Sequence, residues 1–297
     1  MATKKSAKKA TTTKKTKTTK TTSAVKTVKN KTTKSATKKN IKLPSLIQEE
    51  NNYGRTIIAA FIIVIIFLGG YFILRDVKNG NNPFDAMTAT ADEKEFKKEY
   101  ESINGMARTN GQTNKKVNIK DKNRMEYIDI DKAIEILEEG SGIIYFGYAA
   151  DPLCRNAVLP LIDAVTSSDL EKVYYVNVRE DDKVENDIRD TYELNEHNKP
   201  KQVREGNSRY KELLVLLANQ LPDYVLTTEK GKTVNTGEKR LEVPLVVAVK
   251  KGEVIGYHLG TVPGNKEDDS GKVPELSKSD EKDLEGIYQE IIEDYLK

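Results

Sequence analysis

Apolar and polar positions divide the chain into three regimes. Residues 1–50, opening MATKKSAKKATTTKKTKTTK, show neither a helical nor a strand period and contain no aromatic residue. A Lys/Thr-rich segment of this kind cannot bury enough apolar surface to offset the entropy of ordering, so it is expected to be disordered. Between Arg55 and Arg75 run nineteen uncharged residues, TIIAAFIIVIIFLGGYFIL. An amphipathic helix of a soluble protein would interrupt such a run with polar residues at helical spacing. At about 1.5 Å of rise per residue, the run nearly matches a hydrocarbon core of roughly 30 Å. Residues 51–75 are therefore expected to form a single transmembrane helix, with Tyr53, Tyr71 and Phe72 near its interfaces. A cleaved signal peptide is the rival reading. Its charged region would be unusually long, and no small-x-small cleavage site follows.

Beyond the apolar run the pattern is that of a linker and then a folded domain. DVKNGNNPFDAMTAT is rich in Gly, Asn and Pro, and ADEKEFKKEYESI reads as a short charged helix before more loop. Residues 76–120 are thus expected to be a linker with one short helix, and residues 121–297 the domain. EYIDI reads as a short strand. DKAIEILEEG reads as a helix with Asp131 as N-cap and Gly140 just past its end. GIIYFGY is a nearly continuous apolar strand of the kind buried on both faces. CRNAVLPLIDAVTSS is a helix with Pro160 inside it, KVYYVNV a second buried strand, and SRYKELLVLLANQL an amphipathic helix. Arg179 to Asn207 is polar and reads as an irregular insertion. LEVPLVVAVKKGEVIGYHLG makes two strands joined through Lys250, Lys251 and Gly252, and DEKDLEGIYQEIIEDYLK a closing amphipathic helix. Strands alternating with helices, then a hairpin and a helix, predict an α/β sandwich with a mixed central sheet.

Charge adds a direction to this order. The net charge is +3, but residues 1–55 carry 15 Lys, one Arg and two Glu, a net +14 that leaves −11 on the rest. The positive-inside rule puts the tail in the cytoplasm and residues 76–297 outside, on a single-pass protein of the cell membrane. Arg75 and Lys78 oppose that orientation weakly. The expected partner of the tail is anionic lipid, each Lys near the surface contributing about 1 kcal/mol. Nucleic-acid binding by counterion release is the alternative, but no Arg or aromatic residue before Tyr53 is available to read or stack on bases. A steep salt slope that vanishes on deleting residues 1–42 would mark it.

Candidate chemistry centres on one thiol. Cys154 is the only cysteine, so an internal disulfide framework is excluded. It lies in GYAADPLCRNAVLPL, where an apolar strand turns into a helix. Asp151 is a strong N-cap residue and Pro152 suits the first helical position. A carboxylate nearby and burial both raise a thiol pKa, and the thiolate is the reactive form. His197 and His258 lack metal-ligand spacing, and the runs at Glu180–Asp182 and Glu267–Asp269 lack the Gly and spacing of a calcium loop. No G-x-S-x-G elbow or Gly-rich phosphate loop occurs. Neither metal nor cofactor is expected. Tyr145, Phe146, Tyr174 and Tyr175 fall on buried strands and read as core.

The order of elements, with IIYFGYAADPLCRNAVLPL early and VPLVVAVKKGEVIGYHLG ninety residues later, resembles the thioredoxin family. It is most similar to membrane-tethered, extracytoplasmic thioredoxin-like proteins of Gram-positive bacteria, of the bacteriocin-transport accessory type. Their Cys-Pro-Trp-Cys-Arg-Asn run follows a Tyr-Phe-Gly strand, and TGEKRL before the Val-Pro is also similar. The resemblance spans roughly Glu126 to the C-terminus. It implies a thioredoxin-like sandwich behind the transmembrane helix and basic tail. It places the family's nucleophilic cysteine on Asp151, its Pro on Pro152, its Trp on Leu153 and its resolving cysteine on Cys154, with Arg155 and Asn156 kept. The family's cis-proline falls on Pro244, after Val243. Because Asp151 replaces the first cysteine, a dithiol cycle within one chain is impossible. One reading is a binding module for a peptide or protein partner outside the cytoplasm, using Pro152, Leu153, Val243 and Pro244. A second is a thiol–disulfide oxidoreductase or redox sensor working through Cys154 alone. A third is a dimer through an intermolecular Cys154 disulfide.

Overall fold

The computed structural model describes Val64 and residues 83–108, 110–268 and 272–297. The expected tail and all of the expected transmembrane run but Val64 lie outside those residues. Among the described residues no helix is long and apolar enough to cross a membrane.

Two helices come first, α1 (Pro83–Thr88) and α2 (Ala91–Ser102). A capping box starts α2: the Glu93 N–H donates to Thr90 Oγ1 at 3.1 Å, and the Thr90 N–H returns to Glu93 Oε2 at 2.7 Å. Phe96 and Tyr100, one turn apart, are fully buried in the larger core, which also holds Val117 and Ile119. Core packing therefore begins inside the segment read from the sequence as linker.

Then come β1 (Met125–Tyr127), α3 (Ile130–Glu138), β2 (Gly142–Gly147), α4 (Pro152–Thr166) and β3 (Val173–Asn177). The N-cap of α3 is Asp129, not the expected Asp131; Asp129 Oδ1 accepts from the Lys132 N–H at 2.8 Å. Ile130, Ala133, Ile134 and Leu137 form one buried stripe, so the helix has to start before Ile130. Next are two 3₁₀ turns, Glu180–Asp182 and Val184–Asn186, a hairpin of β4 (Thr191–Leu194) and β5 (Pro200–Arg204), and helix α5 (Tyr210–Leu216). The insertion is thus partly regular. The helix expected over SRYKELLVLLANQL ends at Leu216, ahead of a turn and Pro222, which lacks the N–H a helix needs. A second hairpin, β6 (Asp223–Thr227) with β7 (Thr233–Lys239), precedes β8 (Leu245–Lys250), β9 (Glu253–Leu259) and α6 (Lys278–Leu296).

The central sheet is mixed and runs β1-β3-β2-β8-β9. β1, β3 and β2 are parallel; β8 is antiparallel to β2, and β9 to β8. The two-residue period of β2 divides the core. Ile143 and Tyr145 pack in one cluster with residues of α4 and α6, Ile144 and Phe146 in another with residues of α3 and α5. Cover on both faces explains why GIIYFG has almost no polar position. At the β8–β9 turn both Lys251 (φ 54°) and Gly252 (φ 77°) are left-handed, as a two-residue hairpin of this hand requires.

Candidate functional site

The site is built where β2 hands over to α4. Asp151 is the N-cap of α4, and its Oδ1 accepts from the Cys154 N–H at 2.8 Å. Pro152 takes the first helical position, where a missing N–H leaves no bond unmade. The Asp-Pro pair is thus accounted for as a helix start. Cys154 lies one turn in and is fully buried, within the α3–α5 cluster that also contains Phe146 and Val243. Burial pushes its pKa well up, and the charge of Asp151 adds to that. The Tyr148 N–H and the Tyr145 hydroxyl pull the other way without reversing the shift. Asp151 is itself raised by burial, against the opposing Cys154 N–H and the positive charge of Arg189.

The Arg155–Asn156 pair has a structural explanation. Arg155 is fully buried. Its Nε reaches the Lys115 carbonyl at 2.7 Å, Nη1 reaches the Tyr100 and Ala149 carbonyls at 3.0 Å, and Nη2 reaches Asn104 Oδ1 and the Lys115 carbonyl at 2.5 Å. It ties α2, the loop after it and the end of β2 to α4. Asn156 Nδ2 donates to Asn265 Oδ1 at 3.1 Å and to the Pro274 carbonyl at 2.8 Å, pinning the loop before α6.

On the β8 side the Val243–Pro244 bond is cis, and both residues are buried. The Pro244 carbonyl accepts from the Gly260 N–H at 2.7 Å. Among the described residues nothing pairs with the Val243 N–H or carbonyl, whereas Leu241 is engaged on both sides. Its N–H donates to the Tyr210 hydroxyl at 3.1 Å, and its carbonyl accepts from Arg189 Nη1 at 3.4 Å. The structure thus joins Asp151 to Cys154 by a hydrogen bond and Cys154 to Val243 through one apolar cluster. Pro152 and Leu153 are half-buried, and Pro152 faces a separate cavity.

Several residues around this turn were not singled out from the sequence. Asp187 is 5% exposed and draws in three arginines, two by direct hydrogen bonds to its carboxylate and Arg204 at 3.9 Å. Arg189 grips it with Nε at 2.9 Å and Nη2 at 2.8 Å, and Arg179 Nε reaches it at 2.9 Å. The two guanidinium groups lie over the Tyr148 ring, 4.9 Å (Arg179) and 5.6 Å (Arg189) from its centre. By these contacts the insertion is fastened to the residue after β2, and burial above all pushes the Tyr148 phenol up to about 12. A crevice of about 650 Å³ opens beside it, lined by Tyr127, Tyr148, Ala149, Val176 and Asn177 among others. These residues end β1, β2 and β3, and the carboxyl ends of parallel strands are where α/β sheets bind ligands. Glu99 of α2 also lines the crevice and accepts from the Tyr127 hydroxyl at 2.5 Å and the Tyr175 hydroxyl at 3.0 Å. Burial raises the Glu99 pKa against those two bonds. The only advance signal for Glu99 was its place in an otherwise charged helix beside Phe96 and Tyr100.

No protein-family model and no curated protein matches the chain. In chemical terms the turn offers one buried thiol whose raised pKa favours the neutral S–H, with the Asp151 carboxyl group capping the helix that carries it. It also offers an unpaired backbone position at Val243 and a crevice with both apolar and charged walls.

Proposed function

We propose that the domain is thioredoxin-like and works as a membrane-anchored, extracytoplasmic binding module for a peptide or protein, without dithiol chemistry. The observation that carries this reading is the state of Cys154: fully buried, with its pKa pushed up by burial and by Asp151. The thioredoxin-like assignment is supported by the strand order, by the turn from β2 into α4, and by the cis Val243–Pro244 bond just before β8. Binding is supported by the free Val243 backbone groups, which can take the main chain of an extended peptide. The crevice at the ends of β1, β2 and β3 is available for its side chains. Residues 51–75 serve as the anchor, and the +14 of residues 1–55 keeps the tail on the cytoplasmic side against anionic lipid.

The test is insulin reduction by the full-length chain with dithiothreitol as the terminal reductant. The wild type should do no more than dithiothreitol alone. Asp151→Cys should gain activity: its dithiol reduces the insulin disulfide, becomes an internal disulfide, and is reset by dithiothreitol. A folded Asp151→Cys variant that stays inert sinks the placing of the site. Reduction by the wild type sinks the binding-module reading in favour of a single working thiol.

A further inference from the structure

A second cavity, of about 540 Å³, lies against Pro152, and its lining includes four cationic side chains: Arg108, Lys115, Arg155 and Lys272. Glu275 is the one acidic residue in the lining. The bias runs against the −11 carried by the chain outside its first 55 residues. Lys115 is neutralised by Glu281 at 3.0 Å. Arg155 is not neutralised: its five N–H groups all go to carbonyl or amide oxygens, and no carboxylate among the described residues pairs with it. Burial, with the like charge of Arg108, lowers its pKa from the ordinary guanidinium value. Arg108 and Lys272 make no ion pair among the described residues. Buried charges are normally paired, and a guanidinium with no counter-charge favours an anion nearby.

We infer that this cavity is a subsite for a carboxylate of the bound peptide, either its C-terminus or an Asp or Glu side chain. The inference rests on the peptide-binding reading for the nature of the partner and on the charge of the cavity for the group recognised. Arg155 has no N–H to spare, so it supplies field rather than bonds. The planar fork of Arg108 makes no side-chain hydrogen bond among the described residues and feels the Asp182 carboxylate only at a distance, so it can take both carboxylate oxygens, and the Lys272 ammonium adds a second donor. Pro152 and Val273 give the residue that bears the carboxylate an apolar wall. The volume is that of a site for a residue rather than for a bare ion.

The chain has no tryptophan, so a tryptophan-bearing peptide reports its own binding by fluorescence. The probe is Ac-Trp-Ala-Val-Ala with a free carboxylate, compared with its carboxamide and with an amidated peptide in which Glu replaces the last Ala. With the full-length chain, both carboxylate peptides should bind at least about tenfold tighter than the carboxamide, a difference of about 1.4 kcal/mol. The Arg108→Gln/Lys272→Gln double variant should lose that preference while keeping its urea midpoint. If only one carboxylate peptide is preferred, the source is fixed as chain end or side chain. Equal binding of acid and amide overturns the inference, as does a preference that survives the double variant. Displacement by inorganic phosphate at concentrations where acetate has no effect overturns it too, in favour of a phosphate site. None of these results bears on insulin reduction, so this subsite and the parent reading fail separately.

Discussion

Replacing Asp187 by Ala removes the buried carboxylate that Arg189 and Arg179 grip and that Arg204 approaches at 3.9 Å. Asp187 is 5% exposed and Arg189 is 6% exposed, with the paired contact at 2.9 and 2.8 Å and Arg179 adding a third at 2.9 Å. Breaking a buried pair from one side costs about 3–5 kcal/mol, because the partner charge is left buried and alone. Against a domain stability of about 5–15 kcal/mol, that is a large fraction. The insertion has its own escape, since it can detach locally and rehydrate Arg189, which caps the global loss. Asp187→Ala should therefore lower the urea midpoint and speed tryptic cleavage at Arg179 and Lys183 in the native protein. Adding Arg189→Ala should recover part of the loss, with a coupling of at least about 1 kcal/mol in the double-mutant cycle. The pH dependence has a definite sign. Burial raises the Asp187 pKa but is outweighed by the arginine bonds, so the folded value lies below the ordinary 3.8. Its stabilisation is complete above 3.8 and is lost as pH falls through the folded value. A cycle coupling near zero, or an Asp187→Ala variant with wild-type stability and proteolysis, would refute the view that this network fastens the insertion.

Two further perturbations probe the core elements around the site. Asp151→Ala removes the cap bond to the Cys154 N–H and should cost about 1 kcal/mol by urea denaturation, while Asp151→Asn, also a good cap, should cost much less. Equal losses for the two would mean that charge and not capping sets the contribution. His258 packs edge-on against Tyr288, 5.8 Å between ring centres, and burial holds its pKa below 6.5 against the bond to the Thr261 carbonyl. The unfolded chain takes up that proton first, so stability is complete above the unfolded value and is lost as pH falls through 6.5 towards the folded one. His258→Gln should flatten thermal melts across that window; unchanged curvature would assign the acid sensitivity elsewhere.

Much of the frame was legible because it is written in local periods. The apolar run of β2, the Lys-Lys-Gly turn between β8 and β9, and the Asp-Pro start of α4 each depend on neighbouring residues alone. What escaped depends on contacts across the chain. Arg189 meets Leu241 52 residues away, and the insertion carrying it looked irregular because its strands are short and polar. α2 was legible as a charged helix but not as part of the core, because its charge masked a two-residue stripe, Phe96 and Tyr100, whose burial needs the sheet to be present. The β6–β7 hairpin has alternating exposure on β7 but few large apolar residues, so its pattern was too weak to separate from loop. The crevice at Glu99 and the cationic cavity at Pro152 are products of assembly: each draws its lining from at least three separate stretches of chain.

The most direct measurement is alkylation of Cys154 in the native full-length chain, followed by mass spectrometry from about pH 6 to pH 9, a range that spans the free-cysteine pKa near 8.5. An inert, buried thiol predicts negligible labelling across the whole range and full labelling after unfolding. It also predicts a slow native rate that rises about fivefold for each kcal/mol of stability removed by Asp151→Ala. Rapid native labelling with an apparent pKa well below that of free cysteine would contradict the account and make Cys154 a working thiol.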